Sequence, residues 1–152
     1  GTIVHSVYKY FTTLAKQRGI KFEVEVPEEE LLASVDKEAL TKILSNLFAN
    51  ALKYARTYVY LHLSVDEKNE VFTISMSNDG NIVPIEMREN IFKAFVQYRD
   101  GKDIVSGTGI GLAMARYLAE LHQGMLVMDR ELDCNRFILS IQILNQTLPD
   151  DS

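Results

Sequence analysis

The sequence predicts an α/β (α+β) two-layer sandwich: a mixed, mostly antiparallel sheet with helices on one face. Three observations carry this. Runs rich in β-branched and aromatic residues come in consecutive pairs, 58–65 with 71–77 and 124–128 with 137–144, as hairpins do. The helical stretches place apolar residues on one stripe, so each has a single face to bury. The order helix, hairpin, helix, hairpin, helix, loop, helix, hairpin lacks the strand–helix alternation of a doubly wound parallel sheet.

In chain order, Ile3, Val7, Tyr10, Phe11 and Leu14 share one stripe and predict an opening helix within 1–19, read as a remnant of something longer. Residues 21–26 alternate charged and apolar side chains, Pro27 and three glutamates interrupt them, and 31–35 is expected to pair back as a hairpin. Asp36 is a good N-cap for a helix reaching about Ala55, with Leu40, Ile43, Leu44, Leu47, Phe48 and Ala51 on one face. After the hairpin 58–77 comes the turn Asn78-Asp79-Gly80-Asn81. Beyond Pro84, the spacing of Met87, Ile91, Phe92 and Phe95 predicts a shorter helix. Residues 96–106 lose all periodicity and are expected to form a long functional loop. Helix resumes from Thr108 to His122. The main domain is set at 20–144, with a polar tail at 145–152.

Composition removes several classes. With 152 residues and 47% apolar content the chain can pack one core, which makes one domain the working expectation. A net charge of -5 argues against nucleic-acid binding or a broad anionic-membrane surface, both of which need a basic field. Cys134 is the only cysteine, and the N-terminus lacks the order of a secretion signal, so a reducing, cytoplasmic location is expected. No apolar run approaches the roughly 18 residues that cross a bilayer, so this piece is not expected to insert, even if a parent protein is membrane-anchored.

Three motifs carry chemistry. Asn46, Asn50 and Lys53 stand four and three apart on one stripe of the long helix. A neutral amide oxygen suits a hard cation such as magnesium, and lysine supplies a point charge for phosphate, so the set fits a metal-bound nucleotide. A solvated helix edge is the plainer reading. Second, Gly107-Thr108-Gly109-Ile110-Gly111-Leu112 places glycines at every second position before a helix, where bare backbone amides and the helix terminus favour an anion. The spacing is neither a dinucleotide-fold nor a P-loop fingerprint. Third, Asn78-Asp79-Gly80, followed by Ile82, Val83 and Ile85, sets a polar side chain beside an apolar wall that could read adenine. By itself it is an ordinary turn.

In this order the three motifs resemble the nucleotide-binding boxes of the catalytic domain of bacterial sensor histidine kinases, a superfamily shared with gyrase, Hsp90 and MutL. Asn46 to Tyr54 is similar to the N box, Asn78-Asp79-Gly80 to the first glycine box, Phe92 to Phe95 to the F box, Gly107 to Leu112 to the second glycine box, and Gly124 to the remains of a third. The resemblance covers about residues 20–144 and implies a Bergerat-type ATP-binding fold with an ATP-magnesium site. Asn50 would be the magnesium ligand, Asn46 and Lys53 would lie near the phosphates, and Tyr54 along adenine or ribose. Gly109, Ile110, Gly111 and Leu112 would lie under the phosphates. Residues 96–106 would be the ATP lid, with Arg99 and Lys102 as its phosphate contacts and Thr108 as its hinge.

Two positions depart from the family pattern. Asn78 stands where the family most often has the aspartate that accepts the adenine amine, and Ile82 replaces the second glycine of that box. An amide oxygen can still accept that bond, so binding is expected to be weaker by roughly 1 kcal/mol rather than abolished. The gyrase and Hsp90 branch has a water-activating glutamate where this chain has Asn46, and an aspartate where it has Lys53. Neutral Asn46 cannot act as a general base, so hydrolysis should be slow. The implied activity is histidine-kinase phosphoryl transfer to a histidine on a separate helical dimerisation domain, for which the helix within 1–19 would be the linker, in a parent protein expected to be membrane-anchored and with a response regulator receiver downstream. His5, His62 and His122 all lack the acidic neighbour of a phosphoacceptor. A degenerate non-catalytic nucleotide-binding module and an anti-sigma-factor-like serine kinase stay open as alternatives.

Overall fold

The computed structural model describes residues 2–25, 37–66, 68, 70–93, 96–99, 102–105, 111–129 and 133–142. Helix α1 (Thr2–Gln17) leads to strand β1 (Lys21–Glu25), and α2 (Lys37–Tyr54) to the hairpin β2 (Tyr58–Asp66) and β3 (Val71–Asn78). Two 3-10 turns, Ile85–Met87 and Asn90–Phe92, precede the ribbon β4 (Val96–Arg99) and β5 (Lys102–Val105). Then come α3 (Gly111–Leu121), β6 (Met125–Met128) and β7 (Asn135–Gln142).

Five strands form one sheet in the order β1-β2-β3-β7-β6. The pairs β2–β3, β3–β7 and β7–β6 are antiparallel, and β1 runs parallel to β2 with Lys21 opposite Tyr58. The expected mixed, mostly antiparallel sheet is therefore present. Period-two alternation puts Val59, Leu61, Leu63, Phe72, Ile74, Met76, Phe137, Leu139 and Ile141 on its buried face. The intervening Tyr60, His62, Thr73, Ser75, Arg136 and Ile138 are half-exposed on the other face. Against the buried face, α2 lays Leu40, Ile43, Leu44, Leu47, Phe48 and Ala51, with α1 and α3 on its flanks. Ala115 and Ala119, both fully buried, are the small residues through which α3 approaches the core.

Helix α1 is more than a connector. Phe11 is buried, stacks on Phe48 with ring centroids 3.9 Å apart, and meets Phe22 of β1 edge-on at 6.1 Å. Gly19, at φ +69°, takes the left-handed conformation that ends α1, and the Ile20 N–H donates to the Ala15 carbonyl at 2.9 Å. The chain thereby turns sharply into β1.

Several expectations change. The proposed strand at 31–35 and the Asp36 cap lie outside the described residues, and the partner of β1 among those described is β2. The segment after Pro84 is not one α-helix but two 3-10 turns, closed by Met87 N–H to Pro84 O at 2.9 Å and Lys93 N–H to Asn90 O at 3.0 Å. Between them, buried Arg88 donates to the Val83 carbonyl at 2.7 Å and to the Asp129 carbonyl, which ties the segment to the loop after β6 rather than letting one helix propagate. The segment 96–106 is not wholly loop. Its two strands pair in register from Val96↔Val105 to Arg99↔Lys102.

Because Phe11 completes an aromatic cluster in the main core, Phe11→Ala should lower unfolding free energy by about 3 to 5 kcal/mol in urea denaturation. An effect below about 0.5 kcal/mol would show that α1 is only a linker.

Candidate nucleotide-binding site

Helix α2 is the floor of the site because its polar stripe borders its buried one. Asn46 and Asn50 are half-buried, Lys53 is exposed, and Tyr54 is half-buried at the helix end. The Lys53 ammonium stands 5.4 Å from the centre of the Tyr54 ring. At one end of the stripe, α3 begins against Asn46: a Cβ placed on Gly111 would lie 3.4 Å from the Asn46 carboxamide oxygen. The N–H groups of the first turn of α3 have no partner within the helix, so this end is suited to an anion.

At the other end the turn after β3 presses on the last turn of α2. A Cβ on Gly80 would overlap the Tyr54 carbonyl oxygen, so only glycine fits there. Tyr54 lies eight residues after Asn46, about 12 Å along the helix. The two glycine motifs therefore meet one helix at separate points with Asn50 and Lys53 between them.

A polar network holds the Gly80 end. Asp79 accepts from the N–H groups of Arg56 at 2.9 Å, Thr57 at 2.9 Å and Tyr58 at 3.1 Å, and from the Thr57 hydroxyl. Desolvation acts to raise its pKa, but the Thr57, Tyr58 and Arg56 donors together outweigh it and hold the carboxyl far below the usual carboxylate range. Asn78 and Asn135 are both buried and lie opposite one another across β3 and β7. The Asn78 oxygen accepts the Gly80 N–H at 2.8 Å and, more weakly, the Asn135 amide at 3.4 Å. Asn135 also donates to the Asn81 carbonyl at 2.8 Å and accepts the Val83 N–H at 3.0 Å. Arg56 donates to the Asn81 side chain. The Asn78 oxygen, reserved in the sequence reading for the adenine amine, is thus engaged by its own turn.

The other expected site residues divide. Ile82 is exposed beside this network, and Leu112 packs on the core just inside α3. Phe92 is buried, edge-on to Phe137 at 5.9 Å, with the Arg116 guanidinium 4.1 Å above its ring. Arg116 is in turn clamped by Glu89 at 3.1 Å and the Leu126 carbonyl at 3.0 Å, and its hydrogen bond holds the Glu89 pKa down. Phe92 therefore anchors the second 3-10 turn beneath α3. Arg99 and Lys102 face each other in register across the β4–β5 ribbon. Thr108, Gly109 and Ile110 lie outside the described residues. Asn135 and Arg56 were not marked by any motif, and Asp79 stood inside the first glycine box without a role of its own. Asn135 becomes visible only once β3 and β7 are paired, whereas Asp79, next to Gly80, carried a local signal as a turn acceptor.

Among the described residues no group of three or more His, Cys, Asp or Glu could hold a metal, and no helix is long and apolar enough to cross a membrane. The ring of His122 meets the Leu118 carbonyl at 2.9 Å and that of His62 lies 3.8 Å from Glu25, which are structural placements. The family pattern of histidine kinase-, DNA gyrase B- and HSP90-like ATPases matches residues 35–143. The chain belongs to this family.

Within it, the domain is of the sensor histidine kinase catalytic type. It is 29% identical to the sensor histidine kinase WalK of Bacillus subtilis over 119 residues, which take in 76% of this chain and 20% of WalK. Full-length ShkA in complex with AMPPNP superposes with a TM-score of 0.74 at 25% identity, over 92% of this chain and 29% of ShkA. The nucleotide-free catalytic domain of the histidine kinase ThkA also gives 0.74, at 23% identity, over 93% of this chain and 92% of that domain. The ThkA likeness shows the fold, a mixed five-stranded sheet with helices. The chain spans about a fifth of the length of WalK.

Asp79 binds its proton less readily folded than unfolded, so its contribution to stability is complete above about pH 4 and drains away as pH falls below that. Asp79→Ala should unfold at lower urea than wild type at neutral pH, and the gap should narrow between about pH 4 and pH 2. A gap that stays constant with pH means the carboxylate does not hold this turn.

Proposed function

We propose that this domain of the histidine kinase type binds ATP with magnesium and presents the γ-phosphate to a histidine on a separate helical dimerisation domain of the same parent protein. A response regulator receiver would then accept the phosphoryl group. The observation that carries this reading is the meeting of three motifs along α2, with Gly111 against the Asn46 carboxamide and Gly80 against the Tyr54 carbonyl. The AMPPNP bound to ShkA supports an adenosine triphosphate as ligand.

The residues fit a metal that arrives with its nucleotide. Asn50 offers a neutral amide oxygen on the half-buried edge of α2, and magnesium keeps most of its waters when few protein groups and phosphates hold it. Once bound, magnesium would neutralise charge on the phosphate oxygens. Lys53 adds a point charge beside it, and the N–H groups at the start of α3 receive the phosphates with Gly109, Ile110, Gly111 and Leu112. Tyr54 lines the adenine or ribose. Arg99 and Lys102 on the β4–β5 ribbon close over the triphosphate, with Thr108 as hinge. Catalysis of this kind is chiefly positioning and charge neutralisation. Asn46 is neutral and takes no proton, which favours transfer to an acceptor that brings its own nucleophile over hydrolysis. The domain acts in the cytoplasm, with the parent anchored in a membrane.

Titration with a fluorescent ATP analogue should give saturable binding that depends on magnesium. Asn50→Ala should weaken it by at least about tenfold and remove the metal dependence. The chain alone should not label itself from γ-labelled ATP, while its hydrolysis stays slow. Binding that ignores both magnesium and Asn50 would point instead to a degenerate interaction module.

A further inference from the structure

Asn78 has one amide oxygen and one amide nitrogen, and the fold has already used the oxygen. Its acceptor bond from the Gly80 N–H, at 2.8 Å, closes the turn that presses on Tyr54. A backbone N–H can only donate, so this bond assigns the amide orientation without ambiguity. The neighbouring amide is assigned the same way: the Val83 N–H fixes the Asn135 oxygen and the Asn81 carbonyl fixes its nitrogen, which also reaches the Asn78 oxygen at 3.4 Å. Turning Asn78 over would set its NH2 group against two donors, the Gly80 N–H and the Asn135 amide. The pair is locked from both sides. Among the described residues the Asn78 nitrogen donates to no partner, and it is not a fully buried orphan. Whatever this side chain reads in a ligand, it reads as a hydrogen-bond donor.

That polarity bears on the base. An aspartate at this place would satisfy the Gly80 N–H with one oxygen and keep a second for the 6-amino group of adenine. Asn78 keeps an NH2 group instead, and two facing donors leave each other unpaired. A purine with a carbonyl at position 6, as in hypoxanthine or guanine, offers the matching acceptor. We propose that Asn78 is the specificity-determining residue for the base and that the site takes a 6-oxopurine nucleoside triphosphate at least as well as ATP. Asn135 acts as its positioning residue. This deepens the proposed nucleotide-binding function and rests on it.

Inosine triphosphate and ATP differ only at position 6 and in the N1 proton, so competition of each against a bound trinitrophenyl-ATP probe, in magnesium, isolates this contact. In the wild-type chain ITP should displace the probe within about threefold of the ATP concentration, or below it. The nearly isosteric Asn78→Asp, which restores a second acceptor, should shift the ITP-to-ATP ratio toward ATP by about tenfold or more. A wild-type preference for ATP above about threefold, or a ratio unmoved by Asn78→Asp, overturns the inference while leaving nucleotide binding intact. Failure of every nucleotide to bind overturns the proposed function, and this inference with it.

Discussion

Helix α2 answers to two neighbourhoods at once, and the rest of the molecule is arranged around that constraint. Its apolar stripe is the centre of the core, where Ile43, Leu47 and Ala51 are fully buried between the sheet and the flanking helices. Its polar edge, one step round the same cylinder, must stay open at Asn50 and Lys53 while being met at its two ends. The start of α3 meets it at Asn46 and the turn after β3 meets it at Tyr54. Packing and ligand geometry are therefore not separate properties here. Any shift of α2 that loosened Leu47 from the sheet would also move Asn46 from Gly111.

The Gly80 end shows how such closeness is maintained. A turn without a side chain at its tightest point has little hydrophobic surface to hold it, so the work falls to hydrogen bonds. Asp79 gathers donors from three consecutive residues after α2, and Asn135 ties the turn to β7. Buried polar groups are costly unless satisfied, and these are satisfied largely by backbone groups, whose polarity does not change. The same economy limits the ligand chemistry. The Asn78 oxygen closes a turn, so the proposed base recognition would fall to its amide nitrogen.

Much of the fold was legible because it depends on short-range periodicity. The stripe of α2, the alternation in β2, β3 and β7 and the pairing of consecutive strands follow from spacing along the chain. The clustering of the motifs was legible too, since Asn46, Asn50 and Lys53 share a helix face by arithmetic. What escaped depends on partners far away in sequence. The parallel pairing of β1 with β2 joins Lys21 to Tyr58 across the whole of α2, and the helical spacing after Pro84 gave no warning that Arg88 would bind carbonyls at Val83 and Asp129. Asn135 illustrates the limit well: in sequence it is a polar residue at a strand start, and only the register opposite Asn78 gives it a role.

The electrostatics of the site follow from the same architecture. The chain carries a net charge of -5, so its overall field repels a polyanion and attraction must arise at short range. Asn46 and Asn50 contribute dipoles rather than charge. For the proposed nucleotide there would remain the N-terminus of α3, which acts within about a turn, together with Lys53 and a cation accompanying the phosphates. Under the proposed function, such a site would favour a metal-bound triphosphate over a bare one, because the metal would cancel charge that the protein does not. Asn46 would also give water no basic partner, which under the same proposal would leave a bound γ-phosphate waiting for an acceptor. On that proposal, neutral side chains on α2 would be what lets a phosphoryl donor be held in readiness, and a net acidic chain is compatible with it because the charge balance would be settled locally.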